Sequence, residues 1–154
     1  MGSRARITVE SGGLMKTKHR ILVVDDYPDA AEMACTLLEI LGHETSAASS
    51  ANEALVAAST FDPDVALVDI GLPDLDGYEV ARQLRARSRQ SLYLAAITGW
   101  NTESPESAYA AGFDQFILKP VDEKKLRHVL WLAEIRLTSR LPDFDRVYRL
   151  WQRR

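Results

Sequence analysis

Between residues 19 and 137, short uninterrupted apolar runs alternate with stretches whose apolar positions recur every three or four residues. ILVV at 21–24, a weaker segment at Glu44–Ala48, VALVDI at 65–70, LYLAAIT at 92–98 and QFIL at 115–118 read as strands. The intervening spacing predicts helices over Pro28–Leu41, 51–59, Asp76–Ala86, Glu103–Ala111 and Asp122–Leu137. Pro28 suits a first helical turn, where a missing N–H costs nothing, and Gly42 is the expected stop. Ala30, Ala34, Leu37, Leu38 and Leu41 are expected to share the buried face of the first helix. Strands this uniformly apolar need helices on both sides, so five βα units imply a parallel, doubly wound α/β sheet. Ligands of such sheets bind beyond the carboxyl ends of the strands, which makes the strand-end residues the first candidates for function.

Composition narrows the class. A chain of 154 residues that is 46% hydrophobic and 27% charged suits one globular domain. Cys35 has no partner for an intramolecular disulfide, no apolar run reaches the roughly 18–20 residues of a membrane span, and no signal-peptide pattern opens the chain. A cytoplasmic protein without membrane contact is expected. Charge divides the chain into three. Residues 1–20 carry five Lys/Arg against one Glu, residues 136–154 carry six Arg against two Asp, and the middle carries eight Lys/Arg against nineteen Asp/Glu, a net of −11. So acidic a middle argues against nucleic acid as a partner and suits a cation.

The expected organisation is a flexible leader over 1–18, with Met15 as an alternative start, a domain over 19–137, and a basic amphipathic tail over 138–154. In the tail, Asp143 is placed to cap a short helix with Phe144, Val147, Tyr148 and Trp151 on one face and Arg146, Arg149, Arg153 and Arg154 supplying charge. Packing on its own body, a second copy and a partner are the alternatives for it. About twenty residues after the fifth helix are too few for a helix-turn-helix or enzyme module, so a stand-alone unit is expected.

The strand ends carry Asp25-Asp26, Asp69, Thr98-Gly99 and Lys119-Pro120. Three carboxylates at one sheet edge repel one another unless a cation or a proton intervenes. Mg²⁺, with Mn²⁺ as a substitute, takes oxygen ligands and keeps room for phosphate oxygens. The Thr98 hydroxyl and the Lys119 ammonium suit an anion, most simply a phosphoryl group. Asp69 stands alone on its strand and is the expected nucleophile, while the Asp25-Asp26 pair suits the ion.

The segments ILVVDD, ALVDIGLPDLDGYEVARQLR, AITG and FILKPV, in this order, resemble the receiver domain of bacterial response regulators over residues 20–137. The resemblance implies a (βα)5 sheet of flavodoxin-like order 2-1-3-4-5. It implies Asp69 as phosphoacceptor, Asp25, Asp26, Asp69 and the Gly71 backbone carbonyl around Mg²⁺, and Thr98 and Lys119 on the phosphoryl group. It further implies a cis Lys119–Pro120 bond and Phe116 as the aromatic partner of Thr98 in switching. The implied donor is a phosphohistidine on a histidine kinase or a phosphotransfer protein. The implied output is a protein target on the face of helix 103–111, strand 115–118 and helix 122–137, with a homodimer left open. A phosphoacceptor switch rather than an enzyme follows, with a phosphorylation-independent scaffold and a Mg²⁺-dependent phosphohydrolase as alternatives. Phe116 lacks the hydroxyl that the family often carries there, and Gly71 and Trp100 are the small and large residues flanking the phosphoryl site.

Duller readings hold elsewhere. Asp74 and Asp76 are expected to cap the third helix, His19, His43 and His128 to be solvated, and Cys35 to be a small core residue. Trp131 is divided between core and surface.

Overall fold

The computed structural model describes residues 7–8, 16–88, 91–99 and 105–138. Its main body alternates β1 (Arg20–Val24), α1 (Pro28–Ile40), β2 (Glu44–Ala48), α2 (Ala51–Phe61), β3 (Val65–Asp69), α3 (Gly77–Arg87), β4 (Tyr93–Thr98), α4 (Pro105–Ala111), β5 (Gln115–Leu118) and α5 (Glu123–Thr138). All pairings in this sheet are parallel and the spatial order is β2-β1-β3-β4-β5, the expected 2-1-3-4-5 arrangement. β3 is therefore central, and Asp69 is its last residue.

Each sheet face is sealed by its own set of helices. Leu22, Val24, Ala66, Val68, Leu94 and Ala96 pack against Ala54 of α2, Val80, Ala81 and Leu84 of α3, and Ala111 of α4. Ile21, Val23, Leu67, Tyr93, Ala95 and Ile97 pack against Leu38 of α1 and Leu126, Val129 and Ala133 of α5. Full burial of such an aliphatic side chain stabilises by about 1.5–3 kcal/mol, which holds the strand ends in register beneath the polar residues they carry. At the other end of the molecule, Asp114 accepts from the Leu94 N–H (2.9 Å) and from Arg85 (2.9 Å) and pairs with Arg136, tying α3, β4 and α5 together.

Several sequence expectations are corrected. The buried stripe of α1 runs through Ala31, Ala34 and Leu38, so Ala30, Leu37 and Leu41 lie at its half-buried margin. Gly42 ends the helix with φ +96°, a conformation open to glycine because it has no Cβ. Within the leader, Ile7–Thr8 pairs antiparallel with Lys16–Thr17, in keeping with the β preference of Ile and Thr. Met15 and the tail from 139 onward lie outside the described residues. His19 is not solvated but 2% exposed. It sits below β1, where its Nδ1 is 3.3 Å from Asp64 Oδ2, its N–H donates to His43 Nδ1 (3.1 Å), and the two imidazoles stack. His43 is accordingly half-buried and hydrogen-bonded, while His128 is exposed. Cys35 is half-buried beside the α1–α5 core, and Trp131 is on the surface at 59% exposure.

Asp76 caps α3 by accepting from the Tyr78 N–H (3.0 Å), but Asp74 caps a different helix. From the turn after β3 it reaches across to accept from the N–H groups of Ala51 (3.0 Å) and Asn52 (3.3 Å) at the start of α2. The Ala51 hydrogen bond, ahead of the others, holds the Asp74 carboxyl below its ordinary value. A folded value below the unfolded one stabilises fully above the unfolded pKa, and that contribution is lost as pH falls through the folded pKa. Asp74→Asn keeps an acceptor oxygen without titrating, so its thermal stability is expected to fall less steeply than that of the wild type below about pH 4. Parallel acid profiles for the two proteins would rule out this role.

Candidate functional site

Four strands end at one edge, and their terminal residues converge there. Asp25 follows β1 directly, its backbone N–H bound to Ala48 O (3.1 Å) and its Oδ1 accepting from the Tyr27 N–H (2.9 Å). Asp69 closes β3, with Oδ1 accepting from the Gly71 N–H (2.8 Å) and Oδ2 from Lys119 Nζ (2.7 Å). Thr98 closes β4, and its carbonyl accepts from the Lys119 N–H (2.8 Å), which ties the end of β5 to the end of β4. Thr98 Oγ1 donates to Gly99 O (3.0 Å). The Lys119–Pro120 peptide bond is cis.

Burial separates the roles these groups can take. Asp25, Asp69 and Thr98 are nearly inaccessible, whereas Asp26 is exposed and Lys119 is half-buried. One oxygen each from Asp25, Asp26 and Asp69 lie within 4.8 Å of one another. Lys119 Nζ is also 4.0 Å from Asp25 Oδ2, so one ammonium faces three carboxylates. Burial is the main force raising the Asp25 pKa, opposed by the Tyr27 N–H and by Lys119, and reinforced by the charges of Asp69 and Asp26. Burial pulls the Lys119 pKa down, but its hydrogen bond to Asp69 and the surrounding carboxylates carry it above the ordinary lysine value. The donor set is all oxygen, it is short of positive charge, and Asp26 opens it to solvent. Such a cluster can hold a hard divalent cation.

Space beside Asp69 is kept by glycine. A Cβ at Gly71 would stand 3.3 Å from Asp69 Oδ1 and crowd the carboxylate. Trp100, for which the resemblance implies the other flanking position, lies outside the described residues. Phe116 is half-buried on β5 against the α2–α3 core, and Tyr109 of α4 meets it edge-on. Sequence reading passed over Tyr109, since nothing in the spacing of a short helix says which β5 side chain it will touch. Lys125 of α5 donates to Leu118 O (2.9 Å) and Pro120 O (2.8 Å), joining that helix to the strand end beside the site. Leu118 and Trp131 are exposed.

Residues 21–130 match the model of the response regulator receiver domain. The chain is 34% identical over 109 residues to the DNA-binding response regulator MtrA of Mycolicibacterium smegmatis, a match covering 71% of this chain and 47% of MtrA. It is 28% identical over 119 residues to the regulatory protein AtoC of Escherichia coli, covering 77% of this chain and 26% of AtoC. Among solved structures, the CheY-like receiver domain from Methylobacillus flagellatus superposes with a TM-score of 0.71 at 33% identity, covering 76% of this chain and 99% of that one. The chemotaxis protein CheY4 of Vibrio cholerae superposes with a TM-score of 0.69 at 26% identity, covering 75% and 98%. The chain thus spans about half the length of MtrA and about a quarter of AtoC. MtrA is named as a DNA-binding protein, so the expectation that nucleic acid is no partner draws no support from these relatives. Among the described residues no helix is long and apolar enough to cross a membrane. With the matched model spanning most of the sheet, and relatives of this identity, the chain belongs to the response-regulator receiver family.

Proposed function

We propose that residues 19–137 form a phosphorylation-controlled switch in which Asp69 accepts a phosphoryl group from a phosphohistidine on a histidine kinase or phosphotransfer protein. The observation that carries this reading is the Lys119 Nζ to Asp69 Oδ2 contact of 2.7 Å inside the three-carboxylate cluster. A buried carboxylate at a central strand end, held from one side by an N–H and from the other by an ammonium, is a positioned nucleophile with a ready counter-charge.

An Asp69 oxygen attacks phosphorus as the P–N bond of the donor breaks, and the bonding pair leaves with the imidazole nitrogen, which takes up a proton. An acyl phosphate forms on Asp69. The Lys119 ammonium, the Thr98 hydroxyl and the Gly99 N–H are the groups at hand for the phosphoryl oxygens. Asp25, Asp26, Asp69 and the Gly71 carbonyl would hold Mg²⁺, which supplies charge neutralisation when bound. Phe116 would move inward as Thr98 is drawn to the phosphoryl group. Each charge-assisted hydrogen bond gained is worth about 1.5–3 kcal/mol, so two or three supply the roughly 5.5 kcal/mol of a full population shift.

The output would be a protein-binding change on α4, β5 and α5, in a cytoplasmic regulator that works as a single domain or a phosphorelay intermediate. The test is incubation with acetyl phosphate and Mg²⁺ followed by peptide mapping in a mass spectrometer. One phosphoryl group on the peptide containing Asp69, absent when EDTA replaces Mg²⁺, is the expected result. An unmodified chain, or an adduct at another residue, overturns the reading.

A further inference from the structure

The two loops that carry the candidate cation ligands are both tied to one short stretch of chain, the junction between β2 and α2. On one side, Ala48 O accepts from the Asp25 N–H (3.1 Å). On the other, the Asp74 carboxylate spans the first two N–H groups of α2, with Oδ1 on Ala51 (3.0 Å) and Oδ2 on Asn52 (3.3 Å). Residues 48–52 thus join the loop of Asp25 and Asp26 to the turn that contains Gly71.

The first N–H groups of a helix have no partner within it, and the partial positive charge of the helix end favours a carboxylate beside them. The next turn of α2 is capped without Asp74. Ser50 Oγ accepts from the Glu53 N–H (3.1 Å), and the Glu53 carboxylate accepts from the Ser49 N–H (2.8 Å). Asp74 is exposed, so shortening its side chain opens no cavity and acts through its hydrogen bonds. Leu72 in the core and the Gly71 N–H on Asp69 Oδ1 (2.8 Å) also hold the turn after β3. Asp74 adds the tie to the junction that holds Asp25.

We propose that Asp74 is a positioning residue for the divalent-cation site: by clamping the turn after β3 to the β2–α2 junction, it holds the Gly71 carbonyl in place relative to Asp25 and Asp26. This rests on the reading above in which that carbonyl and those carboxylates hold Mg²⁺, and Asp74 itself is not a ligand in it. A contact that tightens binding of the ion is, by linkage, tightened by the ion to the same factor.

Calorimetric titration with Mg²⁺, together with amide exchange of Ala51 and Asn52 resolved by NMR, tests the brace. Asp74→Ala is expected to bind Mg²⁺ about ten-fold more weakly, the lower end of the range for groups that hold metal ligands in place. In the wild type, Mg²⁺ should slow exchange at Ala51 and Asn52 by about the same ten-fold factor, and this arm needs no variant. In Asp74→Ala the ion should leave exchange at both unchanged, while Asp74→Asn, which keeps an acceptor oxygen, should recover most of the affinity. Ser50→Ala removes the other cap of α2 but leaves the brace, so its Mg²⁺ affinity should stay at the wild-type level. Wild-type affinity in Asp74→Ala, equal weakening in Ser50→Ala, or wild-type exchange that ignores Mg²⁺ overturns the inference. If the Mg²⁺ effects appear but acetyl phosphate forms no adduct on Asp69, the phosphoacceptor reading fails and the brace stands. A wild-type protein that binds no Mg²⁺ overturns both.

Discussion

Replacing Lys119 with Ala is expected to slow phosphoryl uptake at Asp69 by about a hundred- to a thousand-fold, while leaving divalent-cation binding as tight as in the wild type or tighter. The two effects have opposite electrostatic origins. Lys119 Nζ lies 2.7 Å from Asp69 Oδ2 and 4.0 Å from Asp25 Oδ2, so it competes with any second cation for the same oxygens. Removing it deepens the negative potential of the cluster and favours a metal ion. The same removal takes away the one side-chain cation placed at the nucleophile among the described residues, where negative charge must be stabilised during transfer. Calorimetric titration with Mg²⁺ and a time course with saturating acetyl phosphate measure the two separately. An uptake rate within a few-fold of the wild type would remove Lys119 from the chemistry. Clearly weakened metal binding would mean that its main task is to hold the strand ends in place.

Gly77→Ala is expected to be among the most damaging single-methyl changes in the fold, at about 3 kcal/mol or more, the upper part of the range for overpacking. An added Cβ there would stand 2.3 Å from the Ile70 Cα and 3.0 Å from the Asp69 carbonyl oxygen. Both are backbone atoms, so no rotamer change relieves the clash. Either α3 moves outward or the turn after β3 is displaced, and Asp69 stands at the root of that turn. Denaturant unfolding should show the stability loss, and any folded fraction should take up phosphoryl groups more slowly. A loss below about 1 kcal/mol with normal uptake would show that the turn yields without disturbing the site.

The constellation at the sheet edge is legible in the amino-acid sequence, for a local reason. Each of its residues lies at or just beyond the end of an apolar run, and the period of the pattern tells where a strand stops. The parallel arrangement then forces those ends to one side. Asp25, Asp26, Asp69, Thr98 and Lys119 could thus be grouped although they span almost a hundred positions. Helix ends were nearly as legible where the chain carries its own signals, as at Pro28, Gly42 and Asp76.

Contacts between elements could not be obtained that way. Asp74 looks like a cap for the helix that follows it, yet its carboxylate accepts from the first N–H groups of α2, because the packing of α2 beside α3 brings Ala51 within 3.0 Å of it. His19 looks like a solvated residue ahead of a strand, yet it is enclosed by Asp64 and His43, which arrive from other crossovers. The pairing of Tyr109 with Phe116 depends on where α4 comes to rest on β5.

Periodicity and strand-end chemistry are properties of neighbours along the chain, and they were enough to give the five βα units, their sheet order through the family likeness, and the group of polar residues at the carboxyl edge. Which oxygen meets which donor, which helix an aspartate caps and which ring leans on which are relations between residues tens of positions apart. They arise only when the helices settle onto the two faces of the sheet, because it is that packing which fixes distances no local pattern encodes.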